Sequence, residues 1–230
     1  MSERLPPEIR EIAADQVERL ADVVAALSDA DLVAPTLCDG WLAAHLLAHV
    51  RLGLAEHATS FAEPAGPGEV TDRDYVSYWR DWPPGNRPAT YDSVRFHWSS
   101  GSVYATADGL RGHFADTARQ AAGMSRQARA GVFRLQGHVM ETADILAMWT
   151  VEWTIHQLDL TEYLPGDWLA PTDAALTLTV RTIDELTGSP VRPPTWDGAT
   201  YALKGAGRLA LDDAERELLG ERAARFPALG

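Results

Sequence analysis

A carboxylate and an imidazole lie four residues apart within an otherwise apolar stretch of this sequence, at residues 148–160. On an α-helix, residues four apart lie one above the other on the same face. Glu152 and His156 share that face with Ile145, Trp149 and Tyr163, a stripe that would normally face a core. A buried carboxylate needs a cation, a proton or a metal ion beside it. The question is therefore which partner Glu152 has and which part of the chain supplies it.

Four long segments of the chain carry apolar residues at helical spacing. They cover about residues 8–28, 41–61, 91–122 and 140–164. The segment 63–91 is rich in proline, glycine and aromatic residues, which predicts a loop with one short helix, and 132–135 is expected to be extended. Four long helices joined in this order predict a helical bundle.

The pattern changes after residue 166. The tail is expected to contain a fifth helix, two short strands and a last helix, at residues 172–187, 199–203, 208–211 and 214–224 respectively. We therefore predict a mainly α protein: a four-helix bundle over residues 1–166, followed by a small α/β extension over 167–230.

Composition limits the partners of this chain. A formal net charge of −13 disfavours binding to nucleic acid or to an anionic membrane surface. Cys38 is the single cysteine, which excludes an internal disulfide and any multi-cysteine metal site. The N-terminus lacks a signal-peptide pattern and no apolar run approaches the ~18 residues of a spanning helix, so we expect a cytoplasmic protein with no membrane partner.

His49 is the candidate that would complete a site with Glu152 and His156. It follows Leu42 and Leu46 on the core face of the second predicted helix. Facing helices of bundles build metal sites in this way, and two imidazoles with one carboxylate suit Zn²⁺ while leaving a coordination position open. Fe²⁺, Ni²⁺ and Mn²⁺ accept the same donors. Alternatively, His49 is an ordinary core histidine and Glu152 pairs with His156 or an arginine.

Other titratable residues receive weaker assignments. His45, one turn before His49, could compete as a ligand, and Asp159 could orient an imidazole or bind a backbone amide instead. Cys38 is expected to pack in the interior rather than act as a nucleophile. Ordinary surface or core roles are expected for the histidines that lack a carboxylate at helical spacing, His57, His97, His113 and His138. Nucleotide-binding loops, the serine-hydrolase elbow and the zincin helix motif are absent from the sequence.

Two segments resemble the mycothiol-dependent maleylpyruvate isomerase family of the DinB-like superfamily. They are TLCDGW at 36–41 with LAAHLLAHV at 42–50, and EWTIHQLDL at 152–160. The resemblance spans about residues 10–165 and implies a four-helix bundle that holds a divalent metal, usually zinc, through His49, Glu152 and His156. His45 departs from the acidic residue of many members, and the aromatic insertion at 63–91 leaves the substrate pocket open to question.

The resemblance also implies a reaction. Mycothiol would be the cosubstrate, and its thiolate would attack a small electrophile, giving an isomerase or an S-transferase. Arg95 and Trp98 are the expected contacts for an anionic group of the thiol or substrate. The competing hypotheses are a metal-dependent hydrolase that uses water and a non-enzymatic metal- or ligand-binding protein. Bundles of this size often form homodimers, and no exposed stripe in the sequence decides the matter.

Overall fold

The computed structural model describes residues 6–82, 84–85, 89–188 and 192–229. The helices and strands of this part are, in order, α1 Ile9–Ala26, α2 Ala43–Thr59, α3 Tyr91–Gly101, α4 Ala107–Gln127, β1 Val132–Leu135, β2 His138–Glu141, α5 Thr142–Thr161, α6 Asp173–Thr187, α7 Gly198–Gly205 and α8 Asp213–Leu219. Short 3₁₀ turns lie at Asp31–Val33, Ser77–Asp81 and Gly220–Arg225. The mainly α prediction is confirmed. No helix within the described ranges has both the length and the apolar character to cross a bilayer.

Helix α5 is the central element of the bundle. It packs against α1, α2, α6 and α7, and every one of its residues is buried except Ala143, Glu152 and Thr161. Two of its buried hydroxyls are satisfied within the helix, since Thr150 and Thr154 donate to carbonyls one turn earlier at 2.7 Å. The sequence predicts one buried stripe on this helix, whereas the structure buries nearly its whole circumference.

The third predicted helix is two helices in the structure. α3 ends at Gly101, and α4 begins after Thr106, whose side chain caps it by accepting a hydrogen bond from the Gly109 amide at 3.0 Å. A Cβ added to Gly101 would lie 2.8 Å from His45 Cδ2. This close approach lets the short α3 pack onto α2 and positions the residues of α3 near those of α2.

A hairpin precedes α5. The extended segment 132–135 is confirmed as β1, but β2 was not predicted, because its residues were assigned in part to the start of the next helix. Gln136 and Gly137 form the turn with φ of 50° and 85°. Both values are positive, as a two-residue hairpin turn requires.

The loop before α3 has the predicted short helix at Ser77–Asp81, and it folds onto the body of the protein through the buried Tyr75 and Trp79. Parts of the predicted loop, residues 83 and 86–88, lie outside the described residues.

The prediction of two strands in the tail is wrong. Residues 199–203 lie within α7, which begins at the cap Asp197, where the carboxylate accepts from the Thr200 amide at 2.7 Å. Residues 208–211 form no strand, and the last helix ends at Leu219 instead of continuing to 224. α6 and α7 both pack against α5, so the tail shares the core of the bundle. The division into domains at residue 166 stays a prediction.

Candidate metal centre and adjoining cavity

Three predicted ligands meet between α2 and α5. His156 Nε2 lies 3.1 Å from Glu152 Oε1, and His49 Nε2 lies 3.4 Å from the same oxygen. The donor atoms of the three side chains all lie within 4.8 Å of one another. His45 does not join them, because its Nδ1 accepts a hydrogen bond from the Leu42 amide at the start of α2, at 3.2 Å.

The chemistry of this cluster fits a divalent cation. Two imidazole nitrogens face one carboxylate oxygen, so without a cation both would have to carry protons to hydrogen-bond to it. Within the described part of the chain, no lysine or arginine pairs with Glu152, whose recorded partners are the two histidines. Two imidazoles and one carboxylate are a donor set that zinc accepts with a position left open. The metal site itself stays a prediction.

A buried layer behind His156 holds its ring. Asp159 is fully buried, and one of its oxygens lies 2.9 Å from His156 Nδ1. Since an ionised carboxylate only accepts hydrogen bonds, we assign a proton to Nδ1, which leaves Nε2 as the nitrogen that faces the cluster. Cys38 Sγ donates to the same carboxylate at 3.3 Å. The position of Asp159 agrees with the orienting role proposed from the sequence.

Arg208 is the residue of this layer that the sequence analysis missed. Its Nε donates to both oxygens of Asp159, at 3.0 and 3.2 Å. Arg208 lies in the tail, in a segment predicted to be a strand and outside the motifs of the bundle. No sequence motif marks Arg208. The one available signal was that a carboxylate as buried as Asp159 requires a cation from somewhere in the chain.

The charges of the layer shift the pKa values of its members. Burial by itself would raise the pKa of Asp159, but the Arg208 guanidinium and His156 outweigh it and hold the pKa below the usual value. Burial also opposes the ionised form of Glu152, yet the charge and hydrogen bonds of His156 and His49 lower its pKa well below its ordinary range. Burial and the Asp159 charge raise the pKa of the Cys38 thiol. Cys38 is therefore a protonated donor, in agreement with the interior role predicted for it.

A cavity of about 350 Å³ adjoins the cluster. His49 and Glu152 form part of its wall, and their side chains remain 30% and 26% exposed. Most of the remaining wall is aromatic or aliphatic, and comes from α2, α3, α5 and the loop before α3: Val50, Leu52, Tyr78, Trp79, Trp82, Phe96, Met148, Trp149 and Trp153. The predicted aromatic insertion thus contributes directly to the cavity.

His97, for which an ordinary surface or core role was the main prediction, also lines this cavity. Its ring centroid lies 5.0 Å from that of His49 and 4.1 Å from that of Trp41. Burial, followed by the charges of His49 and His156, lowers the pKa of His97 to about 4. The imidazole is therefore neutral near pH 7. The sequence around His97 offers no signal for this position, because no carboxylate lies at helical spacing from it. The neighbouring rings of His49 and Trp41 come from a distant part of the chain.

Arg95 and Trp98 lie away from the cavity wall. The Arg95 side chain is 61% exposed and lies 3.7 Å from Asp92, and Trp98 Nε1 donates to the Gly40 carbonyl at 2.8 Å. Neither is among the described residues that line the cavity. Their predicted contact with an anionic group stays a prediction.

Each of the other histidines contacts a polar side chain outside the cluster. His57 is buried with its Nε2 2.9 Å from Ser125 Oγ, and His113 Nδ1 lies 2.9 Å from the Tyr104 hydroxyl. His138 lies 3.5 Å from Asp72 and 3.6 Å from Asp81.

Comparison with known proteins identifies the family and the fold of this chain. The family model described as the mycothiol maleylpyruvate isomerase N-terminal domain matches residues 13–161. Two crystal structures of the mycothiol-dependent maleylpyruvate isomerase, one of them a histidine-to-alanine mutant, share the fold with TM-scores of 0.50 and 0.51. Identities are 18% and 16%, and each alignment covers 80% of this chain and 70% of the other. No curated protein is similar enough in sequence to give a match. Because the family model spans more than half of its residues, the chain belongs to the mycothiol maleylpyruvate isomerase family, as its motifs predicted.

Proposed function

We propose that this protein is a metal-dependent enzyme that uses the thiol of mycothiol to attack a small electrophile. The observation that carries the proposal is the convergence of His49, Glu152 and His156 on one point in the wall of a cavity. Family membership supports the choice of thiol, since the two related structures are of mycothiol-dependent enzymes.

The three side chains would hold the cation, preferably Zn²⁺. A bound divalent cation supplies positive charge that lowers the pKa of a thiol beside it. Asp159 keeps the Nδ1 proton of His156 and so keeps Nε2 directed at Glu152. The aromatic wall excludes water and holds the electrophile near the cluster.

Cys38 supports a nucleophile that comes from outside the chain. Its Sγ lies 4.0 Å from His156 Nδ1, at the edge of the ring that faces away from the Nε2 cluster, and it does not line the cavity. The protein's own thiol is therefore in the wrong place to attack a bound electrophile, and a thiol cosubstrate fills that role.

Two outcomes of the attack are consistent with this site. If the sulfur–carbon bond forms and later breaks, the thiol is recovered and the electrophile is isomerised about a double bond. If the bond is kept, the protein is an S-transferase. Counting free thiol at the end of a reaction distinguishes the two, because only the transferase consumes it in proportion to product.

The test combines metal analysis with turnover. Protein stripped with a chelator and reloaded with Zn²⁺ should bind about one ion per chain and should convert maleylpyruvate or a bimane electrophile only when mycothiol is present. His156→Ala and His49→Ala should lose the ion, whereas His113→Ala, on an exposed histidine of α4, should keep it. Circular dichroism checks that each variant is folded.

Three results would overturn the proposal. Metal retained at full occupancy by both folded ligand variants would show that the assigned ligands are wrong. A fully loaded protein with no thiol-dependent turnover on any electrophile would remove the activity. Turnover that is the same with and without thiol would indicate water as the nucleophile and favour a hydrolase.

A further inference from the structure

Apart from two histidines, the acidic and basic side chains that the described residues contribute to the cavity wall are two carboxylates. Glu56 and Glu152 both contribute to its wall. Among the described residues, no lysine or arginine lines it. A carboxylate placed in this cavity would meet like charge and apolar surface, and both raise its free energy.

The rest of the wall suits a flat, apolar ligand. Trp149 and Trp153 are nearly parallel, with ring planes at 14° and centroids 6.0 Å apart, and Trp79, Trp82 and Phe96 complete the aromatic surface. Faces of this kind bind planar molecules through stacking and area burial.

Tyr78 and Gln136 are neutral polar groups of the wall that are already partnered, whereas the buried indole nitrogens of Trp79 and Trp153 have no hydrogen-bond partner among the described residues. The Tyr78 hydroxyl donates to Gln136 Oε1 at 2.6 Å, and Gln136 Nε2 donates to Glu56 Oε1 at 3.0 Å. Gln136 stands at the hairpin turn with a positive φ of 50°, a conformation uncommon for a residue with a side chain. The hairpin therefore presents a fixed amide, rather than a cation, to the ligand.

A bound metal does not reverse this charge balance. The two positive charges of a divalent cation would be offset by Glu152 and by the thiolate of the cosubstrate. Glu56 then remains as the uncompensated charge among the described lining residues. Arg95 does not supply the missing cation, because it is exposed and is not part of the wall.

We infer that the electrophile of this protein is an uncharged, planar and largely apolar molecule, in contrast to the dicarboxylate maleylpyruvate in the name of the related enzymes. The inference rests on the proposed function in that it takes the ligand of the cavity to be an electrophile. The preference of the cavity for neutral ligands rests on the lining residues alone.

A matched pair of unreactive probes tests this preference without any turnover. Dimethyl phthalate and phthalate share one aromatic ring and differ in two negative charges. Trp79, Trp82, Trp149 and Trp153 line the cavity, so quenching of intrinsic fluorescence reports binding directly. In metal-free protein, and in zinc-loaded protein with mycothiol bound, the diester should bind at least about tenfold more tightly than the dianion.

Two variants test whether the difference in affinity between the probes arises in the cavity. Glu56→Gln should strengthen phthalate binding by about threefold to tenfold and leave dimethyl phthalate unchanged, since only the dianion senses that charge. Glu217→Gln is the matched control on an exposed position of α8, and it should change neither affinity. Equal or tighter binding of phthalate, or no binding of either probe, overturns the inference.

A turnover measurement distinguishes failure of this inference from failure of the proposed function. Dimethyl maleate and maleate form a second matched pair, each rate being divided by the uncatalysed rate with the same thiol. Faster catalysed reaction of the dianion leaves the thiol-dependent enzyme standing and refutes the preference for neutral substrates. Tight binding of dimethyl phthalate with no thiol-dependent reaction refutes the enzyme and leaves the binding preference standing.

Discussion

Replacing Arg208 by glutamine tests whether the tail of the chain holds the proposed metal centre in place. In the structure, Arg208 Nε donates to both oxygens of Asp159, which in turn lies 2.9 Å from His156 Nδ1. The Arg208→Gln side chain is shorter and uncharged, so it leaves a buried carboxylate without its cation.

The cost follows from burial. The side chain of Asp159 is 0% exposed and that of Arg208 is 10% exposed. Breaking a buried ion pair by removing one partner costs about 3–5 kcal/mol. We expect about 3 kcal/mol here, the lower end of that range, because Cys38 and His156 still face Asp159. For a chain of this size, that loss lowers the melting temperature by about 6–12 °C.

The same variant should weaken metal binding. Loss of a partner that orients a ligand from behind typically lowers affinity by about 10–100-fold. Urea unfolding of the metal-free protein measures the stability term, and competition with a zinc indicator measures the affinity term. Asp159→Asn combined with Arg208→Gln should recover part of the lost stability, because the double variant no longer buries an unpaired charge.

A surface arginine provides the control. Arg119 Nη2 lies 2.9 Å from Asp116 Oδ1, a similar separation, but the two side chains are 74% and 62% exposed. Arg119→Gln should leave both the free energy of unfolding and the zinc affinity nearly unchanged. Equal effects of the two arginine substitutions, or an Arg208→Gln variant with unaltered zinc affinity, would refute the positioning role.

Three further predictions concern residues outside the proposed metal centre. Burial lowers the pKa of His57 from 6.5 to about 4, so the unfolded chain takes up a proton between those pH values while the folded chain does not. The free energy of unfolding should fall by about 3 kcal/mol as the pH drops through that window, and His57→Gln should flatten the dependence in urea titrations. Gly101→Ala should lower thermal stability by about 1–3 kcal/mol, because its Cβ would lie 2.8 Å from His45. Gly112→Ala, where the added Cβ meets open space inside α4, should raise stability by about 0.5–1 kcal/mol, and equal effects of the two substitutions would contradict the packing argument.

The ligand cluster could be predicted because its signal is local. Spacing of four residues puts Glu152 and His156 on one face of any helix, and the same periodicity turns His49 toward the core of its own helix. Two helices of one bundle then need only face each other for the three side chains to meet. The structure has this arrangement, with all donor atoms within 4.8 Å.

The tail could not be predicted in the same way. Residues 199–203 form an apolar run too short for periodicity to distinguish a strand from a buried helix. The informative residue was the cap Asp197, three residues before the amide that it binds. Arg208 contacts a carboxylate 49 positions earlier, and no local pattern encodes such a pair.

The hairpin shows a third reason why part of the fold could not be predicted from the sequence. Its turn is Gln136-Gly137, and glutamine is not among the residues that usually mark a turn with two positive φ values. The strand that follows was therefore merged with the next helix. Packing of the turn against Tyr78 and Glu56 stabilises what the local sequence disfavours.

The burial of α5 on nearly every side decides which part of the proposed metal centre can adjust. A helix enclosed by its neighbours cannot rotate or fray without disrupting the core, so Glu152 and His156 keep their mutual spacing for as long as the chain is folded. His49 belongs to α2, which has partly exposed positions next to the cavity. Small changes in ion size or coordination are therefore expected to be accommodated by movement of α2 and His49, with the α5 pair acting as the stationary half of the site.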